Sequence, residues 1–311
     1  LNDCMELLTR GHLHSGHPRC FGLFNPTPTF MGILADALVA AVNPQLAVWS
    51  HSPVAAEIER HLLIYMGTLF GLPAARVAGS FTTGGAEANL TGVLLALTRT
   101  FPSVAEHGLR SLPGLPVFYA SAESHLAWLK IAHQCGLGRQ AVRLVPVTPD
   151  LRMDLGALAA QIAADRAAGH LPFLIVGTAG TTSAGVVDPL PELADLCAAE
   201  GLHFHVDAAW GGASILSKRL RHLLAGIERA HSITFDAHKW LSVPMGGGMF
   251  LCKDQEGLHQ TFRVSTAYMP PSEADVADAY VHSVQWSRRF IGLKLFLSLA
   301  VAGRDGYARV I

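Results

Sequence analysis

Three short apolar runs set the frame of this sequence: "LPVFYASA" from Leu115, "PFLIVGTAG" from Pro172 and "LHFHVDAAW" from Leu202, each ending in small polar residues. Before and between them lie alanine- and leucine-rich stretches with helical spacing, "EANLTGVLLALTRTF", "DLGALAAQIAADRAAG" and "PLPELADLCAAEG". The second of these has Asp154 where a helix wants a side chain to accept its first N–H groups, and Gly169 just past its end. Apolar strands alternating with helices of this length predict a mostly parallel sheet with helices on both faces. Parallel neighbours need a long crossover, and a helix supplies it. In such sheets ligands sit beyond the carboxyl ends of the strands. The polar residues fall there, at Ser121 to His125, Thr178 to Thr182 and Asp207 to Trp210.

Composition sets the outer limits. Half of the 311 residues are hydrophobic and 15% are charged, enough apolar side chain for a large core and too little charge for a disordered chain. A formal net charge of -1 argues against a nucleic-acid partner or a polybasic membrane surface. The longest apolar runs are too short to span a bilayer. The five cysteines, Cys4, Cys20, Cys135, Cys197 and Cys252, are scattered without a C-x-x-C pair, which fits reduced thiols in the cytoplasm better than a disulfide or zinc framework. Among sixteen histidines, "HLHSGH" near the start and "HFH" at 203–205 invite a metal. His203 and His205 share one face of a strand with no third ligand evident, so no metal is expected.

Three features carry chemistry, and each also has a plain structural reading. In "SFTTGGAEANLTG", Gly84 and Gly85 open a helical run. Backbone N–H groups there form an anion site, with phosphate the usual occupant. A Gly-Gly turn is also ordinary structure, and the spacing is neither a Walker loop nor G-x-G-x-x-G. In "HVDAAWGGA", Asp207 ends a buried strand, either as a turn cap or as the ion-pair partner of a ligand's ring nitrogen. In "SITFDAHKWLSVPMGGG", Lys239 lies between apolar segments. It either closes a strand at the surface or sits in a pocket where its amine attacks a carbonyl to form a Schiff base. Together these are a phosphate holder, a pyridinium partner and an aldehyde attachment point, the contacts that pyridoxal phosphate needs.

With these motifs in place, the chain resembles the group II pyridoxal-phosphate-dependent amino acid decarboxylases, which include aromatic-amino-acid, glutamate, cysteine-sulfinate and 2,4-diaminobutyrate decarboxylases. The resemblance runs in order through "HPRCFGLFNPTPTFMGILADAL", "VWSHSPVAAEIERHLL", "TTGGAEANL", "AESHLAWLKIAHQCG", "GTAGTTSAGVVDPL", "HVDAAWGG", "DAHKWLSVPMGGGMF" and "RRFIGLKLF", covering nearly the whole chain. It implies an α/β, fold-type I (aspartate-aminotransferase-like) large domain with a mostly parallel sheet between helices. It also implies roles. Gly85 and Ala86 would hold the phosphate through backbone N–H, with His238 nearby. His125 would stack on the pyridine ring, and Ala209 would pack against the opposite face. Thr182 would bond to the cofactor side of the pocket, Asp207 would pair with the protonated ring nitrogen, and Lys239 would attach the cofactor. Asp236 stands where other members often carry asparagine, a departure at a phosphate-side position. Tyr268, in "TFRVSTAYMP", would protonate the substrate α-carbon after carbon dioxide leaves, from a loop that closes over the site. Arg288 would sit near the phosphate and the incoming carboxylate. Phe24, Pro26 and Thr27, with Phe21, Leu23 and Asn25, would line the substrate's side-chain pocket.

The same resemblance divides the chain into an N-terminal substrate-side and dimer segment (1–30), a cofactor-binding large domain (31–260), and a catalytic loop with the start of a C-terminal part (261–311). Family members continue into a C-terminal small domain. Here the sequence stops in "LKLFLSLAVAGRDGYARVI", an apolar helix expected to lack its partner, with the small domain truncated or supplied separately. The implied activity is decarboxylation of an L-amino acid to its amine and carbon dioxide by a cytoplasmic homodimer with a shared active site, without metal, nucleic acid or membrane. Rival readings on the same fold are an aldehyde synthase, an outcome the family associates with phenylalanine in place of Tyr268, a carbon–carbon or carbon–sulfur lyase, and a non-catalytic partner subunit. "FNP" and "WSHSPVAAEIE" look closer to the bacterial diaminobutyrate-type members than to the animal aromatic ones.

Overall fold

The computed structural model describes residues 1–20, 22, 26–264 and 278–311. Its strands are β1 (Ala78–Thr82), β2 (Pro116–Ser121), β3 (Val142–Val145), β4 (Leu171–Thr178), β5 (His203–Asp207), β6 (Ser232–Asp236) and β7 (Gly248–Cys252), joined in one sheet of order β1-β7-β6-β5-β4-β2-β3. From β3 to β6 every neighbour is parallel, as the alternation of strands and helices predicts. β7 departs from this, running antiparallel to both β6 and β1. Two reversals restore the direction, so β1 points the same way as β6. The carboxyl ends of all strands except β7 therefore share one edge.

The helices are α1 (Asn2–Gly11), α2 (Phe30–Val42), α3 (Pro53–Leu69), α4 (Gly85–Thr100), α5 (Val104–His107), α6 (Ala127–Gln134), α7 (Leu155–Ala167), α8 (Leu190–Glu200), α9 (Gln255–Phe262) and α10 (Gly292–Val310). α7 begins and ends as its caps require: Asp154 Oδ1 accepts the Ala157 N–H at 3.0 Å, and Gly169 follows at φ +79°. The sheet is buried on both faces. Along β2, Val117 and Tyr119 enter one core with Ile175, Phe204 and Phe235, while Phe118 and Ala120 enter the other with Trp128 and Phe173. Each such fully buried large apolar side chain contributes roughly 1.5–3 kcal/mol.

The apolar helix at the end of the sequence is not without partners. α10 packs on α2 and α3 and sends Leu295 and Tyr307 into the main core. The Ser298 and Thr29 hydroxyls lie 2.8 Å apart, and the Tyr307 hydroxyl donates to the Leu241 carbonyl at 3.0 Å. The expectation of an orphan helix is overturned because periodicity reveals an apolar face and not which earlier element covers it. α10 breaks its helical backbone at Gly303, at φ +63°, a value glycine adopts without strain.

Candidate active site

At its carboxyl edge the sheet opens into a cavity of about 330 Å³. Its walls are the ends of β4, β5 and β6, the first turn of α4, and the segments following β2 and β6. The structure brings together here all the residues expected to hold a cofactor: Gly85, Ala86, His125, Thr182, Asp207, Ala209, Asp236, His238 and Lys239.

One side of the cavity is the start of α4. Gly84 O accepts the N–H groups of Glu87 and Ala88, while Glu87 Oε2 accepts from the Thr83 N–H at 2.9 Å and its hydroxyl at 2.7 Å. Among the described residues nothing bonds the N–H groups of Gly85 and Ala86, which remain the open donors of the first turn. Backed by the helix dipole, they favour an anion. The cradle depends on missing side chains. A Cβ at Gly85 would lie 3.0 Å from Ala209 Cβ and from Asp236 Oδ2, and one at Gly248 would lie 2.5 Å from Thr82 Oγ1 and 2.7 Å from Gly84 Cα.

Asp236 closes the cradle at the end of β6. Its Oδ2 lies 3.1 Å from Lys239 Nζ and 3.8 Å from His238 Nε2, and its Oδ1 is buried with no hydrogen-bond partner among the described residues. Burial raises its carboxyl above the ordinary range, against the pull of the Lys239 and His238 charges. Burial also lowers His238, whose Nδ1 accepts the Gly247 N–H at 3.2 Å. The segment after Lys239 is tied down by a second lysine: Lys294 of α10 donates to the carbonyls of Pro244 (3.2 Å) and Met245 (2.9 Å) and to Asp36 Oδ2 (3.3 Å).

Asp207 ends β5, where its Oδ2 accepts from Asn89 Nδ2 at 2.8 Å and its Oδ1 from the Ala209 N–H at 3.2 Å. Asn89 lies one turn beyond Gly85 on the same face of α4, roughly 6 Å along the axis. A single helix thus presents the open N–H donors and grips the carboxylate. Sequence alone does not single out Asn89, whose partner Asp207 lies 118 residues further along the chain.

The parts present are an amine, an anion cradle with an orphaned buried oxygen beside it, and a strand-end carboxylate held from behind. The chain matches the family model described as pyridoxal-dependent decarboxylase conserved domain over residues 1–311. It belongs to that family. It is 35% identical over 299 residues to the L-2,4-diaminobutyrate decarboxylase of Rhizobium meliloti (strain 1021), covering 95% of this chain and 58% of that one. It is 33% identical over 302 residues to the aromatic-L-amino-acid decarboxylase of Bacillus atrophaeus, covering 96% of this chain and 61% of that one. The crystal structure of mouse CSAD superposes with a TM-score of 0.91 at 33% identity, covering 96% of this chain and 62% of that one. The chain therefore spans less than two thirds of the length of these relatives. The family's cofactor, pyridoxal phosphate, fits the residues found here.

Several expected site residues lie elsewhere. Arg288 is not brought to this cavity. It is buried in a second one, of about 610 Å³, where its Nη1 lies 2.6 Å from Glu59 Oε2. The two meet off the hydrogen-bond axis, and Arg288 Nε has no hydrogen-bond partner among the described residues. This placement has a physical cause: a guanidinium in the interior stays beside its counter-charge, and that charge comes from Glu59 of α3. Pro26 and Thr27 line a neighbouring cavity of about 650 Å³ that shares His238 and Met245 with the first. Phe24 and Tyr268, with Phe21, Leu23 and Asn25, lie outside the described residues.

Proposed function

We propose that this chain is the cofactor-binding part of a decarboxylase that converts an L-amino acid to its amine and carbon dioxide. The observation that carries the reading is the convergence of Lys239, the open Gly85 and Ala86 donors and Asp207 in one cavity. Pyridoxal phosphate, when bound, supplies an aldehyde for an amine and a protonated ring that takes up the electron pair left as the carboxyl group departs. The chain's own residues do the rest. Gly85 and Ala86 hold the phosphate through N–H groups, and Asp207 accepts the ring N–H and so keeps that proton in place. His125 and Ala209 flank the ring, and Thr182 bonds at the rim. Asp236, 3.1 Å from Lys239 Nζ, is the near base for the proton that this amine must lose before it reacts. Tyr268 returns a proton to the substrate α-carbon.

Pro26 and Thr27 are proposed for the substrate side, since their cavity adjoins that of Lys239 through His238 and Met245. The first candidate substrate is L-2,4-diaminobutyrate, on 35% identity to an enzyme of that name. Among the described residues no helix is long and apolar enough to cross a membrane. A cytoplasmic homodimer is proposed, supported by the apolar face that α2 leaves exposed at Phe30, Ile33, Leu38 and Val42. The test is Lys239→Ala. Carbon dioxide release from the candidate amino acids should stop, and borohydride should no longer fix cofactor to the chain. Continued fixation at another lysine, such as Lys294, would show that Lys239 is not the attachment point.

A further inference from the structure

Behind Asp207 the interior holds a run of polar side chains that packing alone does not call for. Asp207 Oδ2 lies 2.8 Å from Asn89 Nδ2, Asn89 Oδ1 lies 3.1 Å from His205 Nε2, His205 Nδ1 lies 2.8 Å from Ser232 Oγ, and Ser232 Oγ lies 2.9 Å from His203 Nε2. Asp207, Asn89, His205 and Ser232 are all buried. The run follows β5 from the cavity back to the strand's beginning.

Chemistry fixes the direction of every bond in it. An ionised carboxylate only accepts, so Asn89 turns its NH2 to Asp207 and its carbonyl oxygen to His205. That oxygen also only accepts, so His205 carries its proton on Nε2. Nδ1 is then an acceptor, and Ser232 donates its hydroxyl proton to it. Ser232 Oγ is left to accept from His203 Nε2–H. Thr234 Oγ1, 3.2 Å from the same His205 Nε2, takes a second share of that proton. Burial keeps the His205 ring neutral, pushing its pKa down to about 3. All the donors therefore point toward Asp207.

We infer that Asn89 and His205 are positioning residues that hold Asp207 as an oriented carboxylate against the cofactor's ring nitrogen, an inference that rests on the decarboxylase reading of the cavity. Bonds aligned head to tail polarise one another, so the last of them, at Asp207, is the strongest. The Asn89 amide is locked, because turning it over would set its oxygen against the carboxylate and its NH2 against Nε2–H. The run does not conduct protons, since the amide in its middle cannot pass one on. Its work is orientation and charge.

Two measurements test this. In cofactor-free parent protein carrying isotope-labelled histidine, nitrogen NMR should find His205 as one neutral tautomer with its proton on Nε2 throughout neutral pH. A proton on Nδ1, or a charged ring, overturns the inference without any variant having to fold. The second measurement is equilibrium binding of pyridoxal phosphate and of a deaza analogue lacking the ring nitrogen. Asn89→Ala should weaken the cofactor roughly tenfold or more, the scale of a hydrogen bond to a charged group, and leave the analogue nearly unchanged. His205→Leu should act in the same direction, and His205→Gln, which keeps an N–H for Asn89 Oδ1, should recover most of the loss. Equal losses on both ligands in Asn89→Ala would mean a merely structural role and overturn the inference. Asp207→Ala separates the two levels: if it too fails to tell the ligands apart, the pairing of Asp207 with the ring nitrogen falls first.

Discussion

Glu59 joins three parts of the fold, and its removal has a calculable cost. It projects from α3 with 3% of its surface exposed, and its Oε1 accepts the N–H groups of Ile291 at 3.0 Å and Gly292 at 2.9 Å, where α10 begins. Its Oε2 lies 2.6 Å from Nη1 of Arg288, which is 7% exposed. Glu59→Ala uncaps the helix and strands a guanidinium in the interior. Breaking a buried pair from one side costs roughly 3–5 kcal/mol, and the lost charge-assisted caps bring the expected total to about 4–6 kcal/mol. That is a large part of the roughly 5–15 kcal/mol by which a typical domain is stable. Glu59→Gln keeps an acceptor for the two N–H groups and loses only the charge, so the cost of the broken pair alone, roughly 3–5 kcal/mol, is expected. Joining Glu59→Gln with Arg288→Met removes the isolated charge and should recover much of that loss. Urea unfolding of the singles and the double, followed by tryptophan fluorescence, measures all of these. A loss below about 1 kcal/mol for Glu59→Ala is what a solvent-exposed pair would give, and it would show that Glu59 and Arg288 are not held as a buried pair. The series also tests whether Arg288 serves the fold or the site: if the fold, Arg288→Met should lower stability and leave the KM of the folded enzyme unchanged.

Gly248→Ala places a Cβ against Thr82 and the Gly84 backbone, so it should weaken cofactor binding at least several-fold while far-UV dichroism stays the same; unchanged affinity would show that the cradle yields. Burial lowers His205 to about 3 and His282 to about 4, so both are neutral in the fold and charged in the acid-unfolded chain. Their contribution is complete above the ordinary histidine pKa and is lost as pH falls toward those folded-state values, at roughly 1.4 kcal/mol per pH unit for each ring. Unfolding free energies that stay flat across that window would mean the rings already carry charge in the fold. Tyr268→Phe should leave decarboxylation in place, reduce amine formation, and bring aldehyde release and oxygen uptake. Amine made at the parental rate without oxygen uptake would assign the proton to another acid.

The parallel part of the sheet was legible because strands buried on both faces, such as "PFLIVGTAG", stand out as unbroken apolar runs. β1 ("AGSFT") and β7 ("GMFLC") did not stand out, being short and mixed with glycine and hydroxyl residues, and nothing in periodicity reports that β7 runs backwards. The glycine turn, Asp207 and Lys239 could be found from sequence because each is an unusual residue type at the end of an element. Asn89 could not, since an asparagine inside "EANLTGVLLALTRTF" looks like the polar face of a helix and its partner is far away along the chain. The pair Arg288 and Arg289 shows the same limit. One is buried against Glu59 and the other lies at the surface with Asp36, and two adjacent arginines do not reveal which is which.

The reversal of β7 bears on when, during synthesis, the protein becomes able to take up its cofactor. Gly248 shares one rung of the sheet with Thr82 on one side and Asp236 on the other, and among the described residues β1 pairs with β7 alone. A nascent chain that has emerged as far as Lys239 already carries that amine and the parallel strands β2 to β6. The turn at Gly84 and Gly85, though, still hangs on a strand with no neighbour. Pairing such distant segments is the slow part of building a sheet, because loop closure must precede the contacts that reward it. β7 is therefore the keystone: until it slides between β6 and β1, Lys239 has no closed cradle beside it. The sheet and the anion cradle are therefore completed by the same pairing, that of β7 with its two neighbours.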